Sequence, residues 1–143
     1  KGSDKNIYSE AWIDKYNKLI ISDGEFDVDV TQLLKGSRVD EDLYLIGPDG
    51  KKYDLDDADV IAEIDIEGVS IVDGYDNGNA NGVILSTIYE GDHYAVLVRT
   101  DEEEDYYLDT VDTWNEGDLV SVIVKPESIH LTLKGDISKY EVE

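Results

Sequence analysis

The segment GVILSTIYEGDHYAVLV, residues 82–98, determines the kind of fold to expect. Two apolar runs flank Glu90-Gly91-Asp92, and β-prone residues on both sides of a glycine-containing break are typical of a β-hairpin. The break carries more polar and aromatic side chains than a turn requires: Tyr89, Glu90, Asp92, His93 and Tyr94. Two interpretations remain open. Either these residues form a ligand or partner site, or the tyrosines are cross-strand neighbours and Gly91 occupies a bulge.

The chain after this hairpin continues in short strands. Apolar and aromatic residues recur at 106–111, 119–125 and 129–133, with an acidic turn at 101–105 and a turn containing Gly117 between them. With the two strands of the hairpin, these segments make five short strands in about 60 residues, which is typical of a small barrel or partly open sandwich of the OB type. We therefore predict an all-β fold.

The chain before the hairpin is also predicted to be mostly strands. Apolar and acidic residues alternate in GEFDVDV (24–30), and Pro48-Asp49-Gly50 predicts the turn of a hairpin over 42–55. Residues 60–72 are predicted to form one or two strands around Glu67-Gly68. A short N-terminal helix is predicted at the start of the chain, with Ser9 as a possible N-cap. Apolar residues recur there at roughly helical spacing: Ile7, Trp12, Tyr16, Leu19 and Ile20.

The segment DGYDNGNANG (73–82) is rich in Gly and Asn and predicts a loop or linker. We place a boundary in it, between an N-terminal β lobe with the leading helix (1–78) and a C-terminal β lobe (79–143). A shift along the sequence also aligns Val60 with Val120, Ile64 with Val124, Glu67 with Glu127, Val69 with Ile129 and Ile71 with Leu131. This weak repeat reflects either a duplicated strand, turn, strand unit or chance β-patterning.

Composition limits the possible partners. The 35 Asp and Glu against 12 Lys and Arg give a net charge of −23, so nucleic acid is excluded as a partner, since binding it requires cationic neutralisation of phosphates. The chain has no Cys and no apolar run of the ~20 residues that span a bilayer, and we expect a soluble domain. Because it begins without Met, at KGSDKNIYSEAWIDKY, we expect it to be part of a longer protein.

The sequence offers little catalytic or metal-binding chemistry. It has no phosphate-binding loop, no G-x-S-x-G or H-E-x-x-H motif, and His93 and His130 lie in different predicted strands without a neighbouring Cys. The segment 73–82 does not fit a twelve-residue calcium loop. Carboxylates are too numerous to identify a catalytic pair. We therefore expect no catalytic residues, no metal and no cofactor.

A resemblance to a known family covers about the last 65 residues. Gly82, Ile84, Tyr89, Gly91 and Tyr94 are followed by Gly117-Asp118-Leu119-Val120 and then by Lys125-Pro126-Glu127-Ser128-Ile129. This order and spacing resembles the C-terminal region of ATP-binding subunits of bacterial spermidine/putrescine ABC importers, called TOBE. In the first half, where the family often has a Pro-Glu strand ending, this chain has Ile66-Glu67-Gly68-Val69 without Pro.

The resemblance implies a cytoplasmic regulatory domain, peripheral to the inner face of the membrane. It would contact the ATPase domains of its own and a twin subunit, and indirectly the permease, with a polyamine as a possible ligand and a homodimer as a possible assembly. Glu127 joins the hairpin residues as a candidate ligand or partner contact, and Gly82, Gly91, Gly117 and Pro126 are expected to be structural. The alternative is an exported acidic β-rich module that binds cations or other ligands on a bacterial surface.

Overall fold

The computed structural model describes residues 4–143, and within that range it contains thirteen strands and four short 3₁₀ helices. The strands are β1 (Lys5–Ile13), β2 (Leu19–Ile21), β3 (Gly24–Phe26), β4 (Arg38–Val39), β5 (Leu45–Ile46), β6 (Lys52–Tyr53), β7 (Asp59–Asp65), β8 (Val69–Asp73), β9 (Ala80–Tyr89), β10 (Tyr94–Thr100), β11 (Asp105–Thr110), β12 (Leu119–Val124) and β13 (Ile129–Leu133). The 3₁₀ helices are Val30–Leu33, Ile66–Gly68, Pro126–Ser128 and Ile137–Tyr140. The predicted all-β fold is confirmed.

The strands form three antiparallel sheets. The first has the order β13-β7-β1-β2-β3, the second has the order β11-β10-β9-β12-β8, and the third is a small meander of β4, β5 and β6. The predicted hairpin over 42–55 is confirmed as β5 and β6, joined by a turn in which Gly50 adopts a φ of 85°. The five strands predicted after residue 82 are confirmed as β9 to β13.

The predicted N-terminal helix is wrong, because residues 5–13 form β1, which pairs with β2 and β7. A β-bulge shifts the register between Tyr8 and Ala11, so two consecutive residues between them face the solvent. This insertion breaks the strict alternation of a strand and produces a spacing of apolar residues that imitates a helix. Ile7 and Tyr16, assigned to the apolar face of that helix, are exposed in the structure.

The chain exchanges strands between its two halves. β7 pairs with β13 in the first sheet, and β12 pairs with β8 in the second. We call residues 59–73 the first unit and residues 119–133 the second unit, because each consists of a strand, a 3₁₀ helix and a strand and they coincide with the weak sequence repeat. The division between residues 78 and 79 stays a prediction, and both large sheets contain strands from each side of it.

The second sheet curls into a half-barrel, since its two edge strands, β8 and β11, lie against each other. Alternate side chains of its strands point inward and are buried: Ile84, Val96, Val98, Tyr106, Leu108, Val120 and Val122. These residues belong to one hydrophobic core shared with the first sheet, in which Tyr8 and Tyr106 stack with ring centroids 5.1 Å apart. The half-barrel positions the predicted hairpin, β9 and β10, at its rim.

Polar side chains form hydrogen bonds with backbone groups of two edge strands, β11 of the second sheet and β13 of the first. The buried Asn6 donates to the carbonyl of Tyr107 and accepts from its N–H, both at 2.9 Å, and the Tyr8 hydroxyl donates to the carbonyl of Asp105 at 2.6 Å. On the edge strand of the first sheet, Gln32 bonds two backbone groups of β13 in the same way. An open sheet edge is a template for pairing with another chain, so these contacts block strand addition at both edges.

Candidate functional site

The tip of the β9–β10 hairpin brings together the two tyrosines that the sequence singled out. Tyr89 and Tyr94 are directly opposite each other in the register, and their ring centroids are 5.1 Å apart at an interplanar angle of 53°. Tyr89 is exposed, and its hydroxyl donates to the carbonyl of Gly91. Gly91 has a φ of 104°, which strongly favours glycine, so this residue fixes the turn. The aromatic pair is therefore a cross-strand contact whose outer ring faces water.

The charged residues of the same tip form a small network around His93. Its Nδ1 lies 2.6 Å from Asp92 Oδ1 and its Nε2 lies 3.8 Å from Asp109 Oδ1, while Glu90 is exposed beside them. The hydrogen bond to Asp92 raises the pKa of His93, and the charge of Asp109 adds to the increase, against partial desolvation. The protonated imidazole is thus stabilised by the carboxylates on either side of it.

The hairpin tip can attract a cation, but one of its carboxylates is already engaged. A multivalent cation would find two aromatic faces, the carboxylates of Glu90 and Asp92 at the turn, and the carboxylate of Asp109 on the neighbouring strand β11. The contact between His93 and Asp92 competes with such a ligand. Sequence reasoning missed Asp109, because it comes from β11 and only the register of β10 with β11 brings it opposite Ala95.

Glu127 does not join the hairpin. β12 pairs with the beginning of β9, at Ala80 to Val83, and runs antiparallel to it, so the segment after β12 lies at the opposite end of β9 from Tyr89. At ~3.3 Å per residue, that separation is on the order of 30 Å. Glu127 is an exposed residue of the 3₁₀ helix Pro126–Ser128, in which Pro126 occupies the first turn. The structure therefore separates the candidate contacts into two places.

The glycines of the motif occupy positions with distinct geometry. Gly82 is packed between strands, and a side chain there would place its Cβ 2.7 Å from Val98 Cγ1 and 2.8 Å from the carbonyl oxygen of Arg99. Gly117 has a φ of 91° in the turn that leads into β12, and its N–H donates to the carbonyl of Ile84 at 2.8 Å. Gly82 is required because the neighbouring strand β10 approaches too closely for a Cβ, and glycine is favoured at position 117 because of its positive φ.

A second concave place, which the sequence did not indicate, lies between β3 and the loop after β8. It is an open cleft of about 420 Å³ lined by Asp23, Glu25 and Asp27, by Asp76, Gly78 and Asn79 of that loop, and by Ala80 and Asn81 at the start of β9. Asn79 closes it, because its backbone and side-chain amide bond Glu25 on one sheet and its Oδ1 accepts from Val124 on the other. The acidic alternation in residues 24–30 was the only available signal.

Two features are absent from residues 4–143. No group of three or more His, Asp or Glu side chains in this range is arranged to hold a metal ion. No helix among these described residues is long and apolar enough to cross a membrane.

Comparison with known proteins finds similarity over the central and C-terminal part of the chain. The family model for the TOBE domain matches residues 64–132. The chain is 34% identical over 73 residues to a protein named spermidine/putrescine import ATP-binding protein PotA from Bacteroides thetaiotaomicron, and 31% identical over 74 residues to the protein of that name from Bacteroides fragilis. Each match covers about half of this chain, 51% and 52%, and 16% of the relative.

A third relative extends the similarity over most of the chain. The protein of the same name from Mesoplasma florum is 28% identical over 138 residues, which is 93% of this chain and 37% of the relative. The chain thus spans only a small part of the length of each of these relatives. Residues 64–132, just under half of the chain, include β8 to β12 and the pairing of β12 with β8 in the half-barrel, and this part of the chain is similar to the TOBE domain family.

Proposed function

We propose that the chain is the regulatory region of the ATP-binding subunit of a polyamine importer. The observation that carries the proposal is the TOBE match over residues 64–132 together with relatives named for spermidine/putrescine import. In this function the chain is non-catalytic and works on the cytoplasmic side of the membrane. Its partners are the ATPase domains of its own and a twin subunit and, through them, the permease. The similarity favours this function over the exported binding module.

The fold suits a regulatory part that acts by packing. The exchanged strands tie both sheets to one hydrophobic core, and a closely packed core transmits displacement instead of absorbing it. A shift at one surface of the chain would therefore reach the ATPase domains as a movement of the whole region. No reacting group is needed for this role.

Two experiments test the proposed function. The 143-residue chain is expected to show no stoichiometric ATP binding by calorimetry, because its sequence has no phosphate-binding loop. In the complete subunit, deletion of the region equivalent to residues 64–132 should leave nucleotide binding intact and change the response of transport to internal solute by about fivefold or more. Nucleotide turnover by the chain alone, or a deletion that abolishes nucleotide binding, would contradict the proposal.

Whether the hairpin tip senses a polyamine is a separate part of the proposal. We expect that it does not, because His93 already engages Asp92 and the remaining acids lie in water. At ~0.15 M salt, diffuse attraction to a charged surface is largely screened, whereas a site with direct contacts persists. A hundredfold excess of ligand over its Kd adds about 2.7 kcal/mol to the stability of the bound protein, which is easily seen in the melting temperature.

The measurement is a thermal melt of the chain with increasing spermidine at that salt concentration. We expect no saturable increase in melting temperature. A saturable increase that is abolished by Glu90→Gln with Asp92→Asn, and retained when Glu102, Glu103 and Glu104 are changed to Gln, would make the hairpin tip the sensor. A saturable increase abolished instead by Asp23→Asn with Glu25→Gln would place the polyamine in the acidic cleft.

A further inference from the structure

The outer face of the half-barrel carries apolar side chains where an exposed sheet face normally carries polar ones. β9 to β12 bury alternate residues in the core, and several of their outward residues are apolar as well, beside polar ones such as Ser86, Arg99 and Asp105. The outer apolar band consists of Val83, Leu85, Ile88, Leu97, Tyr107 and Leu119. Strands that are apolar on both faces are typical of sheets covered on both sides. In this chain Ile88, Tyr107 and Leu119 of the band are 57%, 51% and 52% exposed, whereas Val83 and Leu97 are half-buried.

The register of the strands makes this band continuous. Leu97 lies opposite Tyr107 on β11, and Val83 lies opposite Leu119 on β12. A bulge in β9 between the partners of Leu97 and Val98 adds Leu85 to the outward side. Four adjacent strands therefore contribute to one apolar surface, and exposed contiguous surfaces of this kind mark sites of interaction.

The charges around the band select its partner. Residues 80–124 contain eleven Asp and Glu and one Lys or Arg, Arg99, whose guanidinium is held by Asp105 through hydrogen bonds of 2.7 and 3.0 Å. Asp105 and Asp109 stand on the outward side of β11 at the margin of the band. A second copy of this chain would bring the same negative charges against them, which is unfavourable. Charge complementarity requires a cationic partner.

The edge of the sheet restricts how that partner binds. β11, beside the band, has backbone groups occupied by Asn6 and Tyr8, so a partner strand cannot add there. A partner can therefore bind only to the outer face of the sheet, and sheet faces are commonly covered by helices with an apolar stripe. We propose that the outer apolar band is the docking surface for a cationic amphipathic helix of a partner protein, a contact that stands whether or not a polyamine is bound.

The probe is a labelled synthetic peptide of about 18 residues, ~27 Å as a helix, made of Leu and Lys at helical spacing. The control is a peptide of the same composition and charge in which the Leu positions are scrambled. Binding is measured by fluorescence anisotropy at ~0.15 M salt, where diffuse attraction is weak. We expect saturable one-to-one binding of the patterned peptide, and affinity lower by about tenfold or more for the scrambled peptide.

The band is tested with Ile88→Thr, Tyr107→Thr and Leu119→Thr together, and the matched control is Tyr16→Thr, Val39→Thr and Val142→Thr, which also removes three exposed apolar side chains without changing charge. We expect about tenfold weaker binding for the first variant and less than about twofold for the control. Circular dichroism verifies that both fold. Equal binding of the scrambled peptide, no saturable binding, or equal effects of the two variants would overturn the proposal. Self-association of the chain that only the first variant abolishes would also overturn it, since the occupant would then be a second copy.

Discussion

The first unit (59–73) and the second unit (119–133) follow the same backbone path with different sequences. In each, a strand leads through a three-residue 3₁₀ helix into a second strand, and the strands pair across units with equivalent registers: Ile64 opposite Ile129, and Val124 opposite Val69. The helix of the first unit is Ile-Glu-Gly and that of the second is Pro-Glu-Ser. A proline is therefore not required for this turn.

The two units meet at the ends of their 3₁₀ helices, where one has Gly and the other Ser. Gly68 and Ser128 are the last residues of their 3₁₀ helices, and a Cβ on Gly68 would lie 2.2 Å from Ser128 Cβ and 1.8 Å from its Oγ. Only one of the two positions has room for a side chain. The repeat is thus symmetric in its strands and necessarily asymmetric at its centre.

The largest expected effect comes from breaking this asymmetry with Gly68→Ala. Rotation of the Ser128 side chain can move Oγ but not Cβ, so the overlap must be relieved by backbone shifts, and we expect a loss of about 3 kcal/mol in the free energy of unfolding. Urea denaturation measures it. The double variant Gly68→Ala with Ser128→Gly moves the side chain to the other unit and should recover more than half of the loss. A single variant as stable as the parent would show that the two turns are not in contact.

A smaller effect is expected from truncating one equivalent core residue in each unit. Val60 and Val120 are both 0% exposed, and we expect Val60→Ala and Val120→Ala each to lower the free energy of unfolding by about 2 kcal/mol. Because the units exchange strands, both variants should unfold in a single transition, followed by far- and near-ultraviolet circular dichroism. The exposed Val111 is the control, and Val111→Ala should change stability by less than about 0.5 kcal/mol. Two separate transitions would instead indicate lobes that unfold independently on either side of residue 79.

The comparison also shows what the sequence could predict. The weak repeat located both units, because alternate burial in strands leaves a periodic apolar pattern that survives changes in the turn. It did not reveal that β8 pairs with β12 and β13 with β7, since pairing between distant segments leaves no mark on local spacing. The apolar spacing in β1 imitates a helix for the same reason, because the bulge arises in the pairing with β7, which local spacing does not show.

The candidate site shows the same limit. Its tyrosines and acids were visible because they are adjacent in sequence, and the turn residue Gly91 was a local signal. Asp109 and the acidic cleft come from segments brought together by the register and by Asn79, so the acidic alternation in residues 24–30 was visible in the sequence but the concave site was not. The outer apolar band was hidden because strands that are apolar on both faces do not show which face is covered.

The smallest expected effect concerns the proline that the second unit has at position 126 and the first unit lacks at position 66. Pro126 begins its 3₁₀ helix after Lys125, whose φ of −69° and ψ of 129° suit a residue before proline. Pro126→Ala should therefore cost about 1 kcal/mol, chiefly by increasing the conformational entropy of the unfolded chain.

At the equivalent position 66 a proline should bring no such gain. The backbone of Asp65 is similar, with φ −63° and ψ 131°, but the N–H of Ile66 donates to the carbonyl of Asp4 at 3.1 Å, and proline has no N–H to donate. Loss of that hydrogen bond, about 1 kcal/mol, offsets the entropic gain. Ile66→Pro should therefore be no more stable than Ile66→Ala, which removes the same side chain and keeps the donor, when both are compared by urea denaturation. A proline that stabilises position 66 as much as position 126 would show that the contact with Asp4 contributes nothing, and that the absence of Pro from the first unit has no structural cause.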